Sequence, residues 1–219
     1  MFNKISSIIV VVSLFIAITI GIIFRQTYTN ITAQPNPLEN FSVALFDTDM
    51  GPENLMDIMR DELPDSNMII RAKSFGEIDF RFKRNNQLIE VLEVYKGDEL
   101  EVGDEIWVTA SSWGLFFDDM TANLTFVNVM KPDQEYLIFL DEKVETMDDE
   151  EVVYSIPSFI IPPIFSYSDH DNKILNVSEN NRYVPYKEVK DNEFFVSSKE
   201  ALEGILSLKD EMLELYPRD

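Results

Sequence analysis

The chain has no cysteine and one histidine in 219 residues. The first absence excludes disulfides, thiol catalysis and Cys-ligated zinc or iron–sulfur centres; the second excludes any two-histidine metal motif. Positive charge is also scarce, with 18 Lys+Arg against 40 Asp+Glu and a formal charge of −22. Affinity for nucleic acid comes from Lys and Arg releasing phosphate counterions, so no nucleic-acid partner is expected. A peripheral grip on anionic lipid is disfavoured for the same reason. What remains is a chain with 45% hydrophobic and 12% aromatic residues, enough for a real core and too much for disorder. Its length suits one domain plus extras.

Charge is missing altogether from Ile5 to Phe24 (ISSIIVVVSLFIAITIGIIF), a run bounded by Lys4 and Arg25. At roughly 1.5 Å per residue, twenty residues cross a hydrocarbon core of about 30 Å. The apolar region of a cleaved signal peptide is usually shorter, about 7–15 residues. The nearest small-residue site, Ile31-Thr32-Ala33, lies well downstream. A retained transmembrane anchor is therefore expected. Basic residues flank the span almost evenly, so its short N-terminal tail sets the orientation as a signal-anchor. The expected organisation is a short cytoplasmic tail (1–4), a transmembrane helix (5–24), a linker (25–50) and an extracytoplasmic body (51–219) at the cell membrane. The linker reading rests on Gln26 to Asn40, polar and carrying Pro35 and Pro37.

In the body, Leu55, Ile58, Met59 and Leu63 recur at helical spacing between Pro52 and Pro64. From Glu77 to Lys83 the period changes to two, as in a half-buried antiparallel strand. Gln87 to Tyr95 carries Ile89 and Val91 in one phase and Leu92 and Val94 in the other, the signature of a β-bulge or of a sharply coiled barrel strand. Strands are also expected at Glu105–Thr109, Phe126–Val129, Tyr136–Leu140 and Glu151–Ile156. The Tyr136 strand is apolar throughout and so buried on both faces. Ser197-Ser198-Lys199-Glu200 has capping-box spacing before a helix whose face holds Leu202, Ile205, Leu206, Met212, Leu213 and Tyr216. Together these predict a mainly β fold with flanking helices: a small antiparallel OB-like β-barrel packed by a C-terminal helix.

Three stretches carry a resemblance: Val91-Leu92-Glu93-Val94-Tyr95-Lys96-Gly97, Val102-Gly103-Asp104-Glu105-Ile106-Trp107-Val108 and Glu135-Tyr136-Leu137-Ile138-Phe139-Leu140. This pattern resembles the OB-type barrel of netrin-like and TIMP-like domains. It is more similar still to membrane-anchored surface proteins of low-GC Gram-positive bacteria that share it. The resemblance covers Met68 to Ile156 and implies a barrel. Metalloproteinase inhibition in the TIMP group needs a disulfide-tied N-terminal cysteine, so that activity does not carry over to a chain without one.

His170 stands in Ser166-Tyr167-Ser168-Asp169-His170-Asp171-Asn172, the ingredients of a hydrolase triad. Triad members meet through the fold rather than by adjacency, and no Gly-x-Ser-x-Gly elbow is present, so a solvated loop is expected. Asp47-Thr48-Asp49-Met50-Gly51 opens like a calcium loop, but position twelve is Ile58 where a Glu is needed. Asp148-Asp149-Glu150-Glu151 reads as a solvated charge run. No metal, cofactor or catalytic residue is assigned. The most informative segment runs from Trp113 to Asp119, where Trp113, Phe116 and Phe117 stand beside Asp118 and Asp119 in a long connection. Large aromatics in a loop either plug the fold or meet a partner. The expected function is an anchored, non-enzymatic binding module for an envelope protein or peptide. The alternatives are a small envelope hydrolase using His170 and a calcium-dependent surface module.

Overall fold

The computed structural model describes residues 2–27, 36–81, 84–146, 151–178 and 181–218. The chain divides into two compact units, Met1–Pro37 and Leu38–Asp219. The first contains α1 (Phe2–Thr27). Residues Ser6–Arg25 of α1 are long and apolar enough to cross a membrane and none is buried, which suits a membrane anchor or a signal sequence.

The second unit is mainly β, built from two mixed sheets with flanking helices. The larger sheet is organised around a long hairpin of β2 (Met68–Arg81) and β3 (Arg84–Lys96). Its other strands are β4 (Glu105–Thr109), β7 (Glu135–Leu140), β8 (Lys143–Val144), β9 (Val153–Ser155) and β10 (Ile164–Ser166), in the order β10-β7-β2-β3-β4-β9-β8. The smaller sheet joins β1 (Ser42–Ala44), β5 (Gly114–Phe116), β6 (Thr121–Asn123) and β11 (Tyr183–Pro185) in the order β11-β1-β6-β5.

The phase switch in β3 corresponds to a bulge. Arg71 pairs with Glu93 and Ala72 with Val91, leaving Leu92 as the extra residue. A wider irregularity in β2 falls between Ser74 and Ile78, around Gly76 at φ +73°. A Cβ there would collide with the Pro132 ring, so this position needs glycine for space as well as for conformation. β7 lies between β10 and β2 and is buried from Tyr136 to Leu140, as its unbroken apolar run predicts.

Four expectations change. The sheet ends at β10 and β8, no pairing joins them among the described residues, and no closed barrel is found. It is also not wholly antiparallel: β4 pairs with β9, and β1 with β6, in parallel. Long intervening stretches of chain make those crossovers feasible. Phe126–Val129 is not a strand, because Thr125 and Phe126 take φ of 52° and 69°; Val127 forms only an isolated bridge to Phe194. The body begins at Leu38, so much of the expected linker is structured, with Leu38, Phe41, Val43, Leu45 and Phe46 buried.

α2 (Leu55–Glu62) buries Leu55 and Met59, and the following turn buries Leu63. After the short α3 (Tyr186–Val189), α4 (Lys199–Leu215) packs against α2 and buries Ile205, Leu208 and Met212 in the common core. Its cap is Ser198, whose Oγ accepts the Ala201 N–H at 3.2 Å. The capping box expected at Ser197 does not form, because the helix begins at Lys199 and puts Ser198 at the cap; Asp47 accepts from both hydroxyls, Ser197 at 2.8 Å and Ser198 at 2.9 Å.

Candidate functional site

The Trp113–Asp119 segment divides between core and surface. The Trp113 N–H bonds the Ala110 carbonyl at 3.1 Å, turning the chain directly after β4. The Trp113 ring is only 2% exposed and belongs to the core with Ala110, Val127 and Met130. Its place in a partner contact is therefore corrected: the tight turn draws the ring inward. Phe116 and Phe117 remain 43% and 46% exposed. Phe117 rests edge-on against buried Phe41, with centroids 5.6 Å apart, so one side is braced and the other faces solvent. Asp118 and Asp119 are exposed beside them. Asp119 Oδ1 accepts from the Thr121 hydroxyl and N–H at 2.7 and 3.2 Å, which fixes the turn between β5 and β6. The result is a braced tip carrying two rings and two carboxylates.

A second feature is a cleft of about 410 Å³ where the turn after α2 meets the start of β2. It is lined by Glu62, Asp65, Asn67, Asp141 and Phe159 among others, so its charged walls are all acidic. The size lies within the range of small-ligand pockets.

The His170 loop is solvated only in part: Asp169, Asp171 and Lys173 are exposed, while His170 turns inward. His170 is half-buried, and its Nε2 is buried with no hydrogen-bond partner. Neither Ser166 nor Ser168 is bonded to it among the described residues: Ser166 Oγ accepts the Ser168 N–H at 3.1 Å, and the Ser166 N–H goes to Glu193. The hydrolase constellation is thus not assembled. Sequence reading missed what is there instead, a buried ion pair between Glu193 (Oε2) and Lys209 (Nζ) at 2.6 Å, with side chains 4% and 7% exposed. Its signal was available, because Lys209 falls on the buried stripe Ile205, Leu208, Met212 of α4. A cation on such a stripe requires a partner.

The calcium-loop candidates are committed elsewhere. Asp49 is held bidentately by Arg182 at 2.7 and 2.6 Å. Burial pushes the Asp47 carboxyl up, but bonds from Ser197, Ser198 and the Thr48 N–H outweigh it and hold it below its ordinary range. No group of three or more metal-ligating side chains occurs among the described residues. In the acidic run, 148–150 lie outside the described residues. Comparison with known proteins finds no family model and no curated relative that matches the chain.

Proposed function

We propose that this chain is a membrane-anchored binding module whose extracytoplasmic body engages a basic protein or peptide through the Phe116–Asp119 tip. The observation that carries the reading is the pair of half-exposed phenylalanines, one braced by Phe41, beside two exposed carboxylates. Exposed aromatics dominate binding when a partner desolvates them, and neighbouring charge accelerates encounter with an opposite partner. The formal charge of −22 and the acidic cleft favour the same class of partner. On this reading α1 is a retained single-pass anchor at the cell membrane. The framework around β2 and β3 is, on the same reading, an open variant of the OB type.

The test is photo-crosslinking from position 117 in native membranes. A benzoylphenylalanine there is expected to capture a basic partner. The double change Phe116→Ser, Phe117→Ser, probed with a crosslinker at Asp118, should abolish the adduct. A hot-spot loss of about 2 kcal/mol corresponds to roughly a thirtyfold weaker complex. The melting temperature should hold within a few degrees, and a collapse would place the rings in the core instead.

The anchor makes a separate prediction. Full-length protein should float with membranes and withstand alkaline extraction. Recovery from the medium with a new N-terminus after Ala33 would establish secretion instead.

A further inference from the structure

We infer that residues 168–174 form a pH-operated latch, in which protonation of His170 releases this segment from residues 190–194 and from α4. The latch stands apart from the tip and does not depend on its function. Its centre is a small, partly open cavity of about 10 Å³, lined by His170 together with Asn128, Lys131, Tyr136, Asn192 and Glu193. That is room for about one water, too little to solvate an imidazolium.

The surrounding charges oppose a proton there. Lys131 enters from the turn before β7 and Lys209 from α4, and with burial they hold the imidazole below its ordinary value. Asp169 and the Asp191 carbonyl pull the other way, and Asp171 is exposed alongside. Burial pushes Tyr136 up to about 12, so it stays neutral. The buried counter-charge, Glu193, is already committed: it bonds Lys209 at 2.6 Å and accepts the Ser166 N–H at 2.7 Å. A proton on His170 therefore adds a third cation to a cluster whose one buried carboxylate is in use.

What yields is a segment with no helix or strand between Tyr167 and Val177. Tyr167 is fixed, its N–H to the Glu135 carbonyl at 3.0 Å and its hydroxyl to the Tyr216 carbonyl at 2.6 Å; beyond it the attachments are few. Asn172 Oδ1 accepts the N–H groups of Glu193 and Phe194 at 2.8 and 3.0 Å. Asn192 exchanges bonds with the Lys173 N–H and carbonyl at 3.0 and 2.7 Å, and Lys209 donates to the Ser168 carbonyl at 3.3 Å. Because the folded imidazole is depressed below 6.5, the hold is complete above that pH and is lost as pH falls through and below it.

Hydrogen exchange of the full-length protein in detergent tests this, with rates corrected for the intrinsic effect of pH. From pH 7.5 to 5.5, protection in 168–174 and 190–194 should fall severalfold, toward a ceiling of about tenfold set by a released imidazole at its ordinary 6.5, while residues 135–140 of β7 keep theirs. In His170→Gln the fall should vanish. In Lys131→Gln, which relieves one repulsion, it should shrink. The single imidazole also gives an unambiguous NMR titration, expected below 6.5 and shifted upward by Lys131→Gln. Unchanged protection in the natural chain would overturn the latch. So would an equal fall in His170→Gln, which would assign the release to Glu193.

Discussion

Lys209→Met is expected to destabilise the body by about 3–5 kcal/mol, read from denaturant unfolding at pH 7. The ammonium lies on the buried stripe of α4, 2.6 Å from a Glu193 carboxylate that is itself 4% exposed. Removing it leaves an unpaired charge in the interior, and most of the cost is the desolvation of that charge rather than the lost attraction. The double change Lys209→Met, Glu193→Gln should therefore recover most of the loss. A glutamine at 193 can still accept the Ser166 N–H that Glu193 Oε1 now takes at 2.7 Å. The pH dependence carries its own sign. Burial raises the Glu193 carboxyl above its ordinary value against the pull of Lys209. A raised acid penalises the fold above its folded value, and that penalty is relieved as pH falls through it. Without Lys209 the carboxyl rises further, so the deficit of the single variant should narrow on acidification. A deficit independent of pH would mean the cost lies in packing rather than charge.

Phe139→Ala should cost a comparable amount, about 3–5 kcal/mol, for a different reason. Phe139 is fully buried in β7, and its ring meets Phe165 of β10 at 6.2 Å and Tyr216 at 5.8 Å, both edge-on. Truncation leaves a cavity where the sheet and the end of α4 meet, with rings on either side that cannot collapse into it. Leu206→Ala, on the same helix but only partly buried, should cost less. Equal losses at Phe139 and Leu206 would contradict the packing described.

The elements legible in the sequence are those long enough to show a period. β3 declared both its alternation and its bulge, because slipping one residue at Leu92 reverses which face is apolar. α4 is plain for the same reason, its seventeen residues holding a helical period, whereas β7 is legible from an unbroken apolar run rather than from a period. The smaller sheet could not be read. Each of its strands is three residues long, and its segments come from three distant places in the chain. The cap of α4 falls one residue beyond the capping-box serine: Ser197 has the Glu200 spacing, yet the helix starts at Lys199 with Ser198 as its cap, and nothing in the local spacing separates two adjacent serines as caps. At the tip, composition singles out a segment of aromatics and acids. It could not divide the rings, since the burial of Trp113 depends on a turn to Ala110 that leaves no compositional trace.

The position of β1 has a consequence for biogenesis. The first strand of the body is an inner strand of its sheet, flanked by β6 on one side and β11 on the other. Ser42 pairs with Thr121 and with Pro185, so neither edge of β1 can be covered until chain far downstream exists. At a synthesis rate of about 5–20 residues per second, β1 waits on the order of ten seconds for its last neighbour. Through that interval Phe41, Val43, Leu45 and Phe46, all destined for the interior, have no finished surface to join. Partners so remote in sequence also make closure of this sheet a late, slow event in folding. The earliest part of the body to be made is thus among the last to be completed, and a nascent chain in transit would need shielding over those few residues.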